Sequence, residues 1–151
     1  MTTVDQVQFR YANPFTLEWV ISQSDLDDYQ HVNNVAYLAV CEKLAWQHSE
    51  SLGLGMDTYQ EMNRGMVIVR HEIDYVNSAY LGDTLQCATW ICESDQKMRI
   101  AREFQFIRPS DGKEVLRAKT FFVCVELSSG KIKRLPALFR DTYGNVLVNQ
   151  D

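Results

Sequence analysis

Over Phe15–Ser24, apolar and polar positions alternate. Phe15, Leu17, Trp19 and Ile21 fall on one side, and Thr16, Glu18, Ser22 and Ser24 mostly on the other. A period of two is that of a half-buried strand. The polar tract Asp25–Asn34 ends the pattern. From Val35 to about Leu52, Ala, Leu, Glu, Lys and Gln dominate, which predicts a helix. Asn33 or Asn34 supplies its N-cap, because a carboxamide oxygen can accept a free backbone N–H of the first turn. Gly53 and Gly55 supply the stop. The first half of the helix is apolar almost all round, so it is expected to be buried. Asp57–Gly65 reads as a loop with room for a helical turn. Met66–Val76 alternates again, with Val67, Val69, Ile73 and Tyr75 on one face and Arg70, Glu72 and Asp74 on the other. Three more strands are expected, at Thr84–Glu93, Lys97–Arg108 and Glu114–Leu127. The last two are joined by a Pro-Ser-Asp-Gly turn at 109–112. Pro136 opens a short helical turn, Ala137–Tyr143.

The order is one strand, one long helix, then four consecutive strands. Short connections imply antiparallel pairing, and an apolar helix needs a sheet to cover it. The expected fold class is α+β: a curved antiparallel five-stranded sheet wrapped around one long central helix. With 151 residues there is room for one domain, with a core at about 15–127. The longest apolar run, Val35–Cys41, has seven residues, against the ~20 of a spanning helix. No apolar leader precedes Pro14, so neither a membrane nor secretion is expected. Cys41, Cys87, Cys92 and Cys124 form no C-x-x-C pair and sit in apolar runs, which suits buried thiols in a reducing cytoplasm. The three histidines lie at no ligand spacing with them, so no metal is expected. Net charge is −5, which argues against nucleic-acid binding. Residues 97–140, however, hold eleven of the fifteen basic residues and four of the twenty acidic ones, leaving +7 there and −12 elsewhere. That excess suits either a phosphorylated ligand or a solvated strand face.

The densest chemistry is Asp25-Leu26-Asp27-Asp28-Tyr29-Gln30-His31-Val32-Asn33-Asn34, immediately before the helix. Free N–H groups and the dipole at a helix N-terminus stabilise developing negative charge. A carboxylate beside such a site is a minimal hydrolytic machine. The same residues are those of a polar loop with an N-cap.

The string D-L-D-x-x-x-H-V-N-N-x-x-Y resembles the hotdog-fold thioesterases, both the 4-hydroxybenzoyl-CoA thioesterase type and the plant acyl-ACP thioesterases. Ile73-Asp74-Tyr75 and Leu81-Gly82-Asp83-Thr84-Leu85 are similar to that family's strand–turn–strand ending in Gly-Asp. The resemblance implies acyl-CoA thioester hydrolysis with Asp27 as general base or nucleophile and Tyr37, at the matching distance in the helix, as a substrate-binding residue. Backbone N–H groups at Asn34, Val35 and Ala36 would receive the oxyanion. His31 matches the plant type, and Tyr29 stands where that type has Asn. Glu42 matches a helix glutamate whose role varies in the family, and it is taken as structural. Lys97, Arg99 and Arg102 are candidates for the CoA phosphates. No cofactor is called for, because the thiolate leaves readily. A non-catalytic acyl-CoA-binding module and an acyl-ACP thioesterase are the alternatives.

Other residues read more simply. His71 is a satisfied core or interface histidine, and His48 a surface or interface one. Trp19, Trp46 and Trp90 are core residues that an acyl pocket would partly recruit. Asp25 bonds backbone N–H groups to shape the loop, and Asp28 is solvated. The resemblance also implies a homodimer or homotetramer. Met66–Val76 would be the pairing edge, with Asp25–Asn34 of one chain near Arg64–Arg70 of the other.

Overall fold

The structure is a computed structural model and describes residues 7–148. Five strands, β1 (Phe15–Val20), β2 (Arg64–Tyr75), β3 (Thr84–Ser94), β4 (Arg99–Arg108) and β5 (Lys113–Glu126), form one sheet in the order β1-β3-β4-β5-β2. Every pairing is antiparallel. The long helix α1 (Asn34–Ser51) lies on the inner face, as expected for the hotdog fold. The segment expected to be a loop contains a short helix, α2 (Met56–Glu61), and α3 (Ala137–Asn145) closes the far end. The tract after β1 holds a single 3-10 turn, Gln23–Asp25.

The core has two parts. Trp19, Ile21, Tyr37, Leu44, Leu85 and Phe106 belong to the cluster under the first half of α1. Tyr59, Ile91, Ile100, Phe139 and Tyr143 belong to the cluster at its other end. All three tryptophans pack as expected, and Trp46 also faces a cavity. Trp90 points to the outer sheet face, where Phe9 and Tyr11 cover it edge-on and Ala12 O accepts its indole N–H at 3.0 Å.

The ladder slips at three places, passing over Val69 in β2, Cys92 in β3 and Val115 in β5. A bulge adds one residue to one strand, bends it and increases its twist, which curls the sheet around α1. It also inverts the alternation. Met66 packs inward before the bulge, while Ile73 and Tyr75 pack inward after it. Val67 and Val69 therefore do not share a continuous face with Ile73 and Tyr75, contrary to the sequence pattern.

The Gly-Asp turn has a structural cause. Gly82 has φ of 85°, a left-handed conformation that glycine adopts without penalty. Asp83 Oδ2 accepts from Tyr80 N–H at 2.9 Å and from Arg108 Nη1 at 2.9 Å. Arg108 also grips Asp111 in the β4–β5 turn and Ser78 O, so one side chain ties two turns together.

Candidate active site

The loop before α1 is built by short-range hydrogen bonds. Asp25 Oδ2 accepts from Ser22 N–H at 2.8 Å and Trp19 Nε1 at 3.2 Å, the role expected of it. Its carbonyl accepts Asn33 N–H at 2.8 Å, which holds the loop's end against its start. Leu26 bridges Val32, and Gln30 turns the chain at φ of 62°. Asp27 is half-buried inside this turn. Its Oδ1 accepts two backbone N–H groups, from Tyr29 at 2.9 Å and His31 at 3.0 Å. Among the described residues, Oδ2 has no protein donor. One oxygen anchors the carboxylate in the turn. Asp28 is exposed, as expected, and so is the His31 side chain.

Asn33 is the N-cap of α1, and it leaves fewer free donors there than expected. Its Oδ1 takes the Val35 N–H at 3.0 Å and its carbonyl takes the Ala36 N–H at 2.9 Å. Of the three donors expected there, only the exposed Asn34 amide lacks a protein acceptor among the described residues. Tyr37 lies one turn further on but is buried. Its ring meets Trp19 at 5.6 Å and Tyr75 at 5.4 Å. Burial, with Tyr75 beside it, pushes its phenol up to about 12. It supports the loop end of the helix from inside the core.

A cavity of about 650 Å³ runs between α1 and the inner faces of β2, β4 and β5. Val35, Leu38, Glu42, Ala45 and Ser49 present one helical stripe to it. Met66, Ile68, Phe104 and Phe122 line the opposite wall. Glu42 is an exposed residue on the cavity face. His71 also lines the cavity, with Nδ1 2.8 Å from Thr120 Oγ1.

The basic candidates are not brought together. Lys97 and Arg99 are exposed at the end of the sheet beside the second core cluster, away from the Asp27 loop of the same chain. Arg102 cannot join them. It is 2% exposed and sits on the inner face in step with Ile100, Phe104 and Phe106. That alternation is visible in the sequence and was the missed signal. His48 is likewise buried, not at the surface, because it extends the Cys41–Leu44 stripe by one turn.

His48 Nδ1 lies 2.7 Å from Arg102 Nη1, and its ring stacks on Phe15 at 5.1 Å. Burial first, then the Arg102 charge, lowers its pKa from 6.5 to about 4. Above pH 6.5 both folded and unfolded states carry it neutral. Between 6.5 and 4 only the unfolded chain takes up the proton, so stability falls with pH across that window by about 3 kcal/mol and levels off below it. Thermal midpoints recorded from pH 7.5 to 4 should show this slope, and His48→Gln should flatten it.

The architecture defines a class, and comparison with known proteins agrees with it. The model of the thioesterase-like superfamily matches residues 21–142, and the chain belongs to that family. It is 32% identical over 119 residues to the long-chain acyl-CoA thioesterase FadM of Escherichia coli strain K12, a match covering 77% of this chain and 86% of that one. The crystal structure of YbaW, a probable thioesterase from Escherichia coli, superposes with a TM-score of 0.74 at 26% identity, covering 88% of this chain and 98% of that one. A 1,4-dihydroxy-2-naphthoyl-CoA thioesterase from Synechocystis shares the fold, with a TM-score of 0.78 at 21% identity over 88% of this chain and 97% of that one.

Proposed function

We propose that the protein is an acyl-CoA thioesterase that uses Asp27 on the substrate carbonyl or on the attacking water. The observation that carries this reading is the carboxylate held by two amides on one oxygen, with its other oxygen free beside a capped helix N-terminus. Family membership and the similarity to an acyl-CoA thioesterase support it. Water attacks the thioester carbonyl as Asp27 takes its proton and the CoA thiolate leaves, or Asp27 attacks, expels the CoA thiolate and forms a mixed anhydride that water hydrolyses to the free acid and Asp27. The Asn34 amide meets the carbonyl oxygen as its charge grows. The exposed imidazole of His31 orients the attacking water. Four buried cysteines support a cytoplasmic setting.

The test is thiol release from short, medium, long and aromatic acyl-CoAs, with acyl-ACP beside them. Acyl-CoA binding with no thiol release from any substrate would leave a binding module instead.

The active unit is a two-fold dimer paired along β2, which is an edge strand of the sheet. In such a dimer each Asp27 loop meets the neighbouring chain near Arg64–Arg70. Arg99, Val123 and Val67 occupy one row across β4, β5 and β2, which places Arg99 about 10 Å from that edge at ~4.8 Å per strand. Lys97 and Arg99 thus serve the CoA phosphates of the neighbouring protomer's substrate. Charge reversal at either should raise KM for acyl-CoA more than it lowers kcat, because remote contacts are made equally in ground and transition states. An acyl-pantetheine lacking the nucleotide should be spared. Equal losses on both substrates would reduce the pair to a solvated face.

A further inference from the structure

Arg102 is a charged group that the proposed chemistry leaves unused. Its Nη1 donates to His48 Nδ1 at 2.7 Å and to Thr89 Oγ1 at 3.4 Å, and its Nη2 to Ser49 Oγ at 3.3 Å. All three acceptors are neutral side chains, His48 included at neutral pH. Among the described residues no ion pair includes Arg102, and its Nε is buried with no partner. A guanidinium keeps its proton in a protein, and a buried charge without a counter-charge is strongly unfavourable. A sheet position flanked by Ile100 and Phe104 would ordinarily hold an apolar residue.

Arg102 lines the cavity, so a ligand that enters it can complete the charge. Ser49, Thr120 and Tyr143 line the cavity with it and supply hydroxyls. The one carboxylate lining the cavity among the described residues, Glu42, is solvent-exposed and two turns of α1 from Ser49. Arg64, another cation on the wall, also has a buried Nε without a partner. The interior therefore has an excess of positive charge and of donors.

Length can be read from the helix. From Val35 to Ser49 the stripe spans fourteen residue steps, which at ~1.5 Å each is about 21 Å. The thioester lies at the Val35 end if the Asp27 mechanism holds. An extended chain covers about 1.2 Å per bond, so roughly 17 bonds separate the carbonyl from the level of Arg102.

The geometry points to a long acyl thioester bearing a carboxylate at its far end, which Arg102 binds at the Ser49 end of the cavity. This rests on the thioesterase reading for its orientation. The terminal carboxylate takes the Arg102 Nε–H and displaces the longer bonds to Thr89 and Ser49. A carboxylate is favoured over a hydroxyl because the missing element is a negative charge as well as an acceptor.

Three non-hydrolysable hexadecyl-CoA thioethers test this by calorimetry: one plain, one with a terminal hydroxyl and one with a terminal carboxylate. The wild-type protein should bind the carboxylate form about tenfold or more tighter than the plain one, as a charged hydrogen bond allows. Arg102→Met should bring that ratio close to one, and Arg102→Lys should keep part of it. Equal affinities in the wild type would overturn the inference without recourse to any variant. So would preference for the hydroxyl form, or an unchanged ratio in a folded Arg102→Met protein. Thiol release from the matching thioesters is read separately. A carboxylate preference with no turnover of any substrate upholds the subsite and sinks the thioesterase reading. Turnover of palmitoyl-CoA with no carboxylate preference does the reverse.

Discussion

Asp27→Asn should lower kcat for thiol release by ~10²-fold or more, the scale of a lost general base, while the protein stays folded and binds acyl-CoA. The two effects separate because of how the side chain is held. Asp27 Oδ1 accepts the Tyr29 and His31 amides, and an asparagine carbonyl oxygen can accept both. The turn, the Leu26–Val32 bridge and the Asn33 cap should survive. What disappears is the basicity and nucleophilicity of the second oxygen. Asp27→Ala makes a useful contrast: it also removes the two anchoring bonds, at ~1 kcal/mol each, so it should lower the thermal midpoint as well as the rate. Asparagine activity within a few-fold of wild type would remove Asp27 from the chemistry and leave it as a turn residue.

Val69→Asp should break the assembly and the activity together. β2 runs twelve residues along an edge of the sheet. Val67, Ile68 and Val69 are 41%, 50% and 54% exposed, three consecutive apolar residues at an unpaired edge. An exposed apolar edge of this length invites pairing. In a two-fold dimer paired along β2, each copy brings an aspartate to the shared edge, where it loses solvation. A cost of about 2 kcal/mol would weaken the dimer more than tenfold. Sedimentation at assay concentration should then show monomer, with turnover falling in step. A fully active monomer would defeat the shared site, even with Asp27 proved catalytic.

The strands and the long helix were legible because their burial is periodic. β1 keeps its alternation from Phe15 to Ile21, and α1 begins within a residue of the expected cap. β2 was misread because a bulge is an event in the backbone. Val69 is an ordinary strand residue locally, and nothing in Val-Ile-Val-Arg-His says which position the ladder will skip. The loop was legible as chemistry, since its carboxylates and carboxamides precede an apolar helix. Its division of labour was not. That Asn33 occupies the Val35 and Ala36 amides, leaving Asn34, depends on backbone geometry. Arg102 was misassigned for another reason. A basic segment suggests phosphate contacts for each of its charges, whereas strand parity with Ile100 and Phe104 places Arg102 inside.

The thiols have a practical consequence. Cys41, Cys87, Cys92 and Cys124 are all buried. Burial pushes Cys41 and Cys92 up to about 12 and raises the other two. Aromatic disulfide reagents react with thiolates, and at neutral pH the folded protein offers almost none. A colour change in such an assay therefore counts liberated coenzyme, not enzyme. When the domain opens, the same reagent gains four new targets, so a single dye can follow both turnover and the folded fraction.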